Sequence, residues 1–252
     1  MTTQFATSAD GVRIAYETAG EGPPLILLHG GGQSRRHWFD HGYVEALKGR
    51  HRLIAIDARG HGESDKPTQR TDYAIDQVIS GVLAVADACG AERFDLIGYS
   101  YGGNIGRYLA ARTGRIDRFV LIGIGFGAGV PADRRNGIEG TLAQWAPVLG
   151  PNPDPSRLST NLRAAWEEGA VRPTLAWFGA LLDWPVVEPR DLGCPTLWLV
   201  GGRNEVGALE SLAQHRPTLP ANMRAEVIEG LDHAAELTAS AKVLPLIEAF
   251  LA

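Results

Sequence analysis

The sequence predicts an α/β protein with a mostly parallel sheet and helices on both faces of that sheet. Its apolar runs are short and continuous rather than alternating, which is typical of strands buried on both sides. Amphipathic stretches of helical length separate most of the runs, and such alternation favours parallel strand pairing. The chain has 252 residues, of which 44% are hydrophobic, so it can bury a substantial core as one unit.

Each element follows from a local pattern. Strands are predicted at six apolar runs: Leu25–Leu28, Leu53–Ile56, Phe94–Tyr99, Arg118–Ile122, Thr196–Val200 and Arg224–Glu229. Helices are predicted over about 72–89, 103–113, 207–217 and 240–251. The stretch Phe5–Glu17, with Asp10-Gly11 at its centre, predicts a hairpin that leads into the sheet.

One region interrupts this alternation. From about 127 to 189 the sequence has several prolines, no clear strand and helical patches around 137–149 and 158–182. We therefore expect a core formed by 1–126 and 190–252, with 127–189 inserted as a helical lid.

Composition and charge exclude several classes of function. The formal net charge is −5 and no Lys/Arg run is present, which argues against nucleic-acid binding. The apolar runs are too short to span a bilayer, and the N-terminus lacks the pattern of a signal peptide. Cys89 and Cys194 are far apart in sequence, so we expect reduced thiols and a cytoplasmic protein.

Two motifs that suggest a bound cofactor or metal lack their usual context. The Gly-rich run 123–128 fits a loose dinucleotide fingerprint, but Pro131 follows where a helix should continue. His37 and His41 have the spacing of a metal-binding helix without its glutamate. No cofactor and no metal are expected, and the expected partner is a small-molecule substrate. The oligomeric state is left open.

A candidate nucleophile lies in the segment Gly98-Tyr99-Ser100-Tyr101-Gly102. This Gly-x-Ser-x-Gly motif ends an apolar strand and opens a helix, which predicts a sharp strand-to-helix turn with an exposed serine hydroxyl. The helix N-terminus stabilises negative charge that develops nearby. A second glycine run, His29-Gly30-Gly31-Gly32, follows another strand and leaves backbone N–H groups free to approach a ligand. His29 itself is expected to bond loop backbone.

The expected base is His233, which follows the last predicted strand. An acid that orients this histidine is expected on the turn after Thr196–Val200, but the position that should carry it holds Asn204. Three interpretations stay open. Glu205 reaches over as the acid, Asn204 acts as a neutral orienting group, or the chain is a variant with stalled turnover or a non-catalytic relative. Asp232 is adjacent to the histidine and is therefore a poor orienting group.

Taken together, these segments resemble the α/β-hydrolase fold superfamily. The resemblance covers nearly the whole chain, and the segment 57–64 (Asp-Ala-Arg-Gly-His-Gly-Glu-Ser) is especially typical of it. It implies an eight-stranded sheet and a lid after the sixth strand. It implies that Ser100 is the nucleophile, that His233 is the base, and that Gly31 and Tyr101 donate N–H groups to an oxyanion. It also places an aspartate where Asn204 stands, and Ser100 departs from the aspartate of the superfamily's epoxide hydrolases and haloalkane dehalogenases.

The expected function is hydrolysis of a carboxylic ester or lactone of a small, fairly apolar substrate through an acyl-enzyme on Ser100. Aromatic residues are candidates for the wall of the substrate pocket, although those of the lid are equally suited to its own core: Trp38, Trp145, Trp177 and Trp184. Two alternatives are a carbon–carbon bond hydrolase or cofactor-free non-hydrolytic enzyme on the same scaffold, and a binding protein with a weakened triad.

Overall fold

The computed structural model describes residues 2–149, 152–167, 169 and 171–252. Within this part of the chain, eight strands form one sheet in the order β1-β2-β4-β3-β5-β6-β7-β8. The strands are β1 Gln4–Thr7, β2 Arg13–Ala19, β3 Pro24–Leu28, β4 Arg52–Ile56, β5 Phe94–Tyr99, β6 Ile116–Ile122, β7 Thr196–Gly201 and β8 Met223–Ile228. The first two are antiparallel to their neighbours, and all other pairs are parallel.

The helices alternate with the strands as the sequence predicts. They are α1 Arg36–Asp40, α2 Tyr43–Leu47, α3 Ile75–Ala88, α4 Tyr101–Arg112, α5 Ala132–Gln144, α6 Ala146–Leu149, α7 Thr160–Glu167, α8 Val171–Ala180, α9 Ala208–His215, α10 Ala235–Thr238 and α11 Ser240–Leu251. Short 3₁₀ helices occupy Arg70–Tyr73, Pro155–Arg157, Leu181–Asp183, Pro189–Asp191 and Arg216–Thr218. The predicted α/β fold, its mostly parallel sheet and its N-terminal hairpin are confirmed.

The two faces of the sheet carry separate hydrophobic cores. Along β3, Ile26 and Leu28 pack on one face with residues of α3, α4 and α9, whereas Leu25 and Leu27 pack on the other with α2 and α11. All four side chains are fully buried. Successive side chains of a strand point to opposite faces, so a strand covered on both sides is apolar at every position. This is why the predicted runs are continuous.

The segment between β6 and β7 is a helical insertion, and its described residues add no strand to the sheet. Its helices α5 to α8 share a small core of Trp145, Val148, Leu158, Trp166 and Leu175. At its base, Gly127 and Val187 exchange two backbone hydrogen bonds of 2.9 Å, which join the chain entering the insertion to the chain leaving it. Four positions within 127–189 lie outside the described residues.

The elbow after β5 differs from the prediction in one detail. Helix α4 begins at Tyr101, two residues before the predicted start at 103, because the chain turns directly from strand to helix at Ser100. Gly102 makes this turn possible, since a Cβ atom there would lie 2.1 Å from the carbonyl oxygen of Leu28. The carboxyl ends of the parallel strands thereby meet at one edge, where open α/β sheets bind ligands.

We expect Gly102→Ala to lower the free energy of unfolding by about 2–4 kcal/mol, because the new methyl group collides with backbone that cannot rotate away. Gly140→Ala in α5 is the matched control, since nothing lies within 4 Å of its Cβ position. That change should stabilise the protein by up to about 1 kcal/mol. Urea unfolding of both variants measures these changes. Equal changes in the free energy of unfolding would contradict the close approach of Gly102 to Leu28.

Candidate active site

Ser100 lies on a strained turn. With φ 52° and ψ −113° it is the one residue other than glycine with positive φ in the described part of the chain. Its N–H donates to the carbonyl of Ile122 at 2.9 Å, and its own carbonyl accepts from Asn104 N–H at 2.8 Å. Such backbone strain persists only where surrounding structure enforces it, and here it presents a hydroxyl at the mouth of a cavity.

His233 faces this hydroxyl. Its Nε2 lies 2.9 Å from Ser100 Oγ. The ring of Tyr99 stacks on the imidazole at 5.1 Å between centroids, and the Tyr99 hydroxyl donates to the His233 carbonyl at 2.7 Å. Burial raises the pKa of Tyr99, so this hydroxyl stays a donor. The Tyr99 ring therefore packs on one face of the imidazole, and the Tyr99 hydroxyl fixes the backbone of His233.

The partner of the other imidazole nitrogen is Glu236, which sequence reasoning missed. Glu236 Oε2 lies 2.8 Å from His233 Nδ1, and the side chain is only 1% exposed. The two residues are three positions apart at the start of α10, where i and i+3 side chains share a face. Asp232 caps this turn by accepting a hydrogen bond from Ala235 N–H at 2.8 Å.

The carboxylate of Glu236 is surrounded by donors. Gly201 N–H donates to Oε1 at 2.5 Å, and Asn204 Nδ2 lies 2.8 Å and 3.0 Å from the two carboxylate oxygens. These bonds offset the cost of burying a charge. Because an ionised carboxylate only accepts, Nδ1 of His233 carries the proton and Nε2 is left to accept from Ser100.

Gly123, the first residue after β6, leaves room for this arrangement. A Cβ atom there would lie 2.3 Å from Glu236 Oε2 and 3.0 Å from the His233 ring. Its φ of 80° also disfavours any other residue. Because Gly123 has no side chain, the Glu236 carboxylate and the His233 imidazole can both lie against its backbone.

Asn204 holds the acid rather than replacing it, which corrects one interpretation of the sequence. Its Oδ1 accepts from Val206 N–H at 3.0 Å and Ala208 N–H at 3.2 Å, so its Nδ2 faces Glu236 and the carbonyl of Gly123. The contact between Nδ2 and His233 Nδ1 is longer, 3.4 Å, and joins two donors. An aspartate here would set an oxygen against three other oxygens, the two of Glu236 and the carbonyl of Gly123.

Glu205 does not reach the imidazole ring, which corrects the second interpretation. Its exposed carboxylate accepts the backbone N–H of His233 at 3.0 Å. That bond lowers the pKa of Glu205. The chain order is therefore Ser100, His233, Glu236, whereas the predicted order had the acid between the other two.

The expected oxyanion donors border the same cavity. Gly31, Ser100, Tyr101 and His233 all line it. Tyr101 is the first residue of α4, and the N–H groups of Gly31 and Tyr101 find no protein acceptor among the described residues. His29 is structural: its Nδ1 bonds Gly30 O at 2.7 Å, its Nε2 accepts from Ala58 N–H, and burial lowers its pKa to about 3.

The cavity has a volume of about 830 Å³ and a largely apolar wall. Its apolar lining comes from the loop after β6, from the insertion and from the turn after β7: Ile124, Phe126, Val130, Ile138, Trp177, Phe178, Leu181 and Val206. Trp177, predicted for the pocket, is the tryptophan that lines it.

The three other predicted pocket tryptophans lie elsewhere. Trp38 is fully buried under the sheet and packs edge-on against Tyr43. Trp145 belongs to the insertion's own core. Trp184 stacks behind Tyr101 and donates from its indole to the carbonyl of Tyr73. Each has its apolar surface covered by core neighbours, which periodicity alone does not distinguish from a pocket wall.

The comparisons with known proteins agree with this fold. A family model described as alpha/beta hydrolase fold matches residues 23–137. An uncharacterised protein of Mycobacterium tuberculosis is 35% identical over 49% of this chain and 35% of its own length. Human epoxide hydrolase 4 is 37% identical over 40% of this chain and 28% of its own. A 2-hydroxymuconate semialdehyde hydrolase of Pseudomonas is 37% identical over 46% and 41%.

These alignments span less than half the length of each of the three relatives. Solved structures match over almost the whole chain. An esterase from a Rhodococcus species has a TM-score of 0.70 and 29% identity, covering 99% of this chain and 98% of that one. An esterase from Exiguobacterium antarcticum has a TM-score of 0.78 at 21% identity, covering both chains fully. The chain therefore has the α/β-hydrolase fold, and its residues 23–137 match the model of that family.

Two further features concern ligands and membranes. Within the described ranges, no group of three or more His, Cys, Asp or Glu side chains is placed to hold a metal ion. None of the helices in the same part of the chain combines the length and the apolar character needed to cross a bilayer.

The geometry predicts that Glu236→Gln slows labelling of Ser100 by a fluorophosphonate probe by about 10²–10⁴-fold, because an amide favours the wrong imidazole tautomer. Glu205→Gln, which alters a carboxylate that bonds the backbone N–H of His233, is the matched control and should change the rate less than about fivefold. If Glu205→Gln has the larger effect, the assignment of the acid is wrong.

Asn204→Asp should destabilise the protein by about 1–3 kcal/mol at pH 8 and by less at pH 5. The neighbouring Glu236 raises the pKa of the new carboxyl above its unfolded value of about 3.9, so folding becomes less favourable as pH rises past that value. Urea unfolding at both pH values measures this, with the exposed Asn136→Asp as control. A pH-independent difference from the parent would contradict it.

Proposed function

We propose that this chain hydrolyses a carboxylic ester or lactone of a small, fairly apolar molecule through an acyl-enzyme on Ser100. The observation that carries the proposal is the hydrogen-bonded series from Ser100 Oγ through His233 to the buried carboxylate of Glu236 at the mouth of an apolar cavity. Because Glu236 supplies the acid in this proposal, Asn204 at the expected acid position no longer indicates a weakened triad.

In the first half of the reaction, His233 Nε2 takes the proton of Ser100 while Oγ attacks the substrate carbonyl. Glu236 stabilises the imidazolium through the Nδ1–H bond and stays ionised. The tetrahedral intermediate collapses as His233 returns the proton to the leaving alcohol oxygen. In the second half, His233 takes a proton from water, hydroxide adds to the acyl-enzyme, and Ser100 leaves with its proton restored.

The negative oxygen of each tetrahedral intermediate is bound by the N–H groups of Gly31 and Tyr101. Two features support this role: both residues border the cavity, and the donor at Tyr101 lies at the N-terminus of α4, where the helix dipole favours negative charge. Loss of one such donor typically costs about 10²–10³ in rate.

Serine chemistry separates this proposal from the activity of the epoxide-hydrolase relatives. Attack of a carboxylate on an epoxide carbon forms an ester, which water can hydrolyse. Attack by Ser100 would form an ether, which water does not cleave at neutral pH. A carbonyl compound is therefore the substrate class that lets Ser100 turn over.

The match to the Rhodococcus esterase, 29% identical over 99% of this chain, supports the ester substrate. The helical insertion acts as the lid in this proposal, because Trp177, Phe178 and Leu181 cover one side of the cavity. A roof of this kind limits water and favours apolar substrates.

A second candidate is hydrolysis of a carbon–carbon bond next to a carbonyl group. The similarity to a 2-hydroxymuconate semialdehyde hydrolase favours it, at 37% identity over 46% of the chain. The same serine and histidine would act, but the leaving group is a carbanion that must be protonated on carbon. Release of an enolisable ketone rather than an alcohol distinguishes this reaction.

The deciding experiment is hydrolysis of 4-nitrophenyl butyrate by the parent, Ser100→Ala and Glu236→Gln. We expect a fast parent, a loss of about 10³-fold or more in each variant, and a parent that gains the mass of one butyryl group at Ser100 when quenched early. An inert parent, or an active Ser100→Ala variant, would contradict the proposal and favour a carbon–carbon bond hydrolase or a binding protein.

A further inference from the structure

The loop that follows β6, residues 123–130, forms one wall of the cavity, and two side chains of α4 hold it. Asn104 Nδ2 donates to the carbonyl of Gly129 at 2.8 Å. Arg107, one turn further along the helix, donates from Nη1 to the carbonyl of Gly125 at 2.7 Å and from Nη2 to that of Ala128 at 3.2 Å. Arg107 also donates to Asn104 Oδ1, which fixes the orientation of the amide.

Arg107 is an unusual buried cation in this protein. It is 2% exposed, and no carboxylate of the described residues lies within salt-bridge distance of it. By contrast, the buried guanidinium of Arg35 pairs with Glu17 and Asp57. Burial lowers the pKa of Arg107 to about 10, so it stays charged at neutral pH. Its partners are backbone carbonyls of the loop and the Asn104 side chain, so its desolvation is offset by hydrogen bonds to neutral groups and not by an ion pair.

Phe126 connects the loop that Arg107 holds to the interior of the cavity. Its ring lies 5.7 Å from the Arg107 guanidinium carbon and packs edge-on against Trp198, and its N–H donates to Ser211 Oγ at 2.9 Å. Phe126 therefore depends on α4 on one side and on α9 on the other, and it lines the cavity together with Ile124 and Val130.

We propose that Arg107, acting through Asn104 and the carbonyls of the loop, is a positioning residue that sets the shape of this wall and thereby the length of substrate chain that fits. The inference rests on the proposed ester hydrolysis for its main readout. The wall is fixed to the same helix that begins immediately after Ser100, so its distance from the attacked carbonyl is set by α4. Arg107 borders the cavity, but its guanidinium is almost fully buried and donates to the loop carbonyls, so we assign it to holding the wall and not to the reacting atoms.

Removal of the guanidinium would leave the carbonyls of Gly125 and Ala128 unpaired, and the loop would move to find other donors. A two-carbon acyl group lies beside Ser100 and is insensitive to such movement. An eight-carbon chain extends along the wall and responds to it. A shift of about 1 Å can change a rate by up to about 10²-fold.

The test compares kcat/KM for 4-nitrophenyl acetate and 4-nitrophenyl octanoate in the parent, Arg107→Met and Arg107→Lys. We expect the octanoate-to-acetate ratio to change by about tenfold in Arg107→Met, through KM more than kcat. Lysine keeps the charge and can reach one carbonyl, so Arg107→Lys should recover part of the parent ratio.

Arg112→Met and Arg112→Lys are the matched controls, because Arg112 lies on the same helix but pairs with the exposed Asp76 outside the cavity. Their ratios should stay within about twofold of the parent. If Arg107→Met lowers both rates equally and leaves the ratio unchanged, Arg107 supports stability only and the proposal is overturned. If Arg107→Met does not fold, Asn104→Ala, which removes the other side-chain bond to the loop, takes its place, and an unchanged ratio in that variant overturns the proposal.

Measurements of ligand binding test the positioning role of Arg107 independently of ester hydrolysis. Quenching of tryptophan fluorescence, with Trp177 in the cavity wall, measures Kd for butan-1-ol and octan-1-ol without turnover. An inert parent would reject ester hydrolysis, but a changed Kd ratio in Arg107→Met would still support the positioning role. An unchanged Kd ratio would reject it.

Discussion

The arrangement at the candidate active site depends on one buried carboxylate. Glu236 lies beneath the edge of the sheet, where its charge is tolerable only because the backbone N–H of Gly201, the amide of Asn204 and the imidazole of His233 all donate to it. Removing any one donor leaves a buried charge with fewer partners, which is far more costly than the loss of a surface ion pair. Glu236 thereby connects three parts of the chain: the turn after β7, the segment after β8 and the backbone at Gly123.

A second constraint acts through α4. This helix begins directly after the strained Ser100, and one and two turns later it supplies the side chains that hold the cavity wall. Its glycines let it lie against β3 closely enough for the strand end and the helix start to share the site. The rigidity of the site therefore comes from packing of the central strands, not from the insertion that covers it.

Much of this could be predicted from the sequence because the determining patterns are local. Continuous apolar runs predicted the buried strands, and the strand-to-helix elbow predicted where Ser100 lies. Glu236 was missed because nothing near it in sequence shows that its side chain is buried. The informative pattern was its spacing of three residues from His233, which lies in the turn that leads into α10. The tryptophans failed as pocket predictions for a related reason: core and cavity use the same residue types, and only tertiary packing separates Trp177 from Trp38, Trp145 and Trp184.

The paired backbone bonds between Gly127 and Val187 have a consequence for how this protein can diversify. They bring the two ends of the insertion together. Helix α8 and Trp184 also pack on the core of the sheet, whereas α6 and α7 pack on the insertion itself, so extra chain is accommodated most easily near α6 and α7. Lengthening such a loop costs little, since the closure entropy grows only with the logarithm of its length. Descendants of this gene can therefore lengthen the outer helices of the insertion while they inherit the sheet and its serine unchanged.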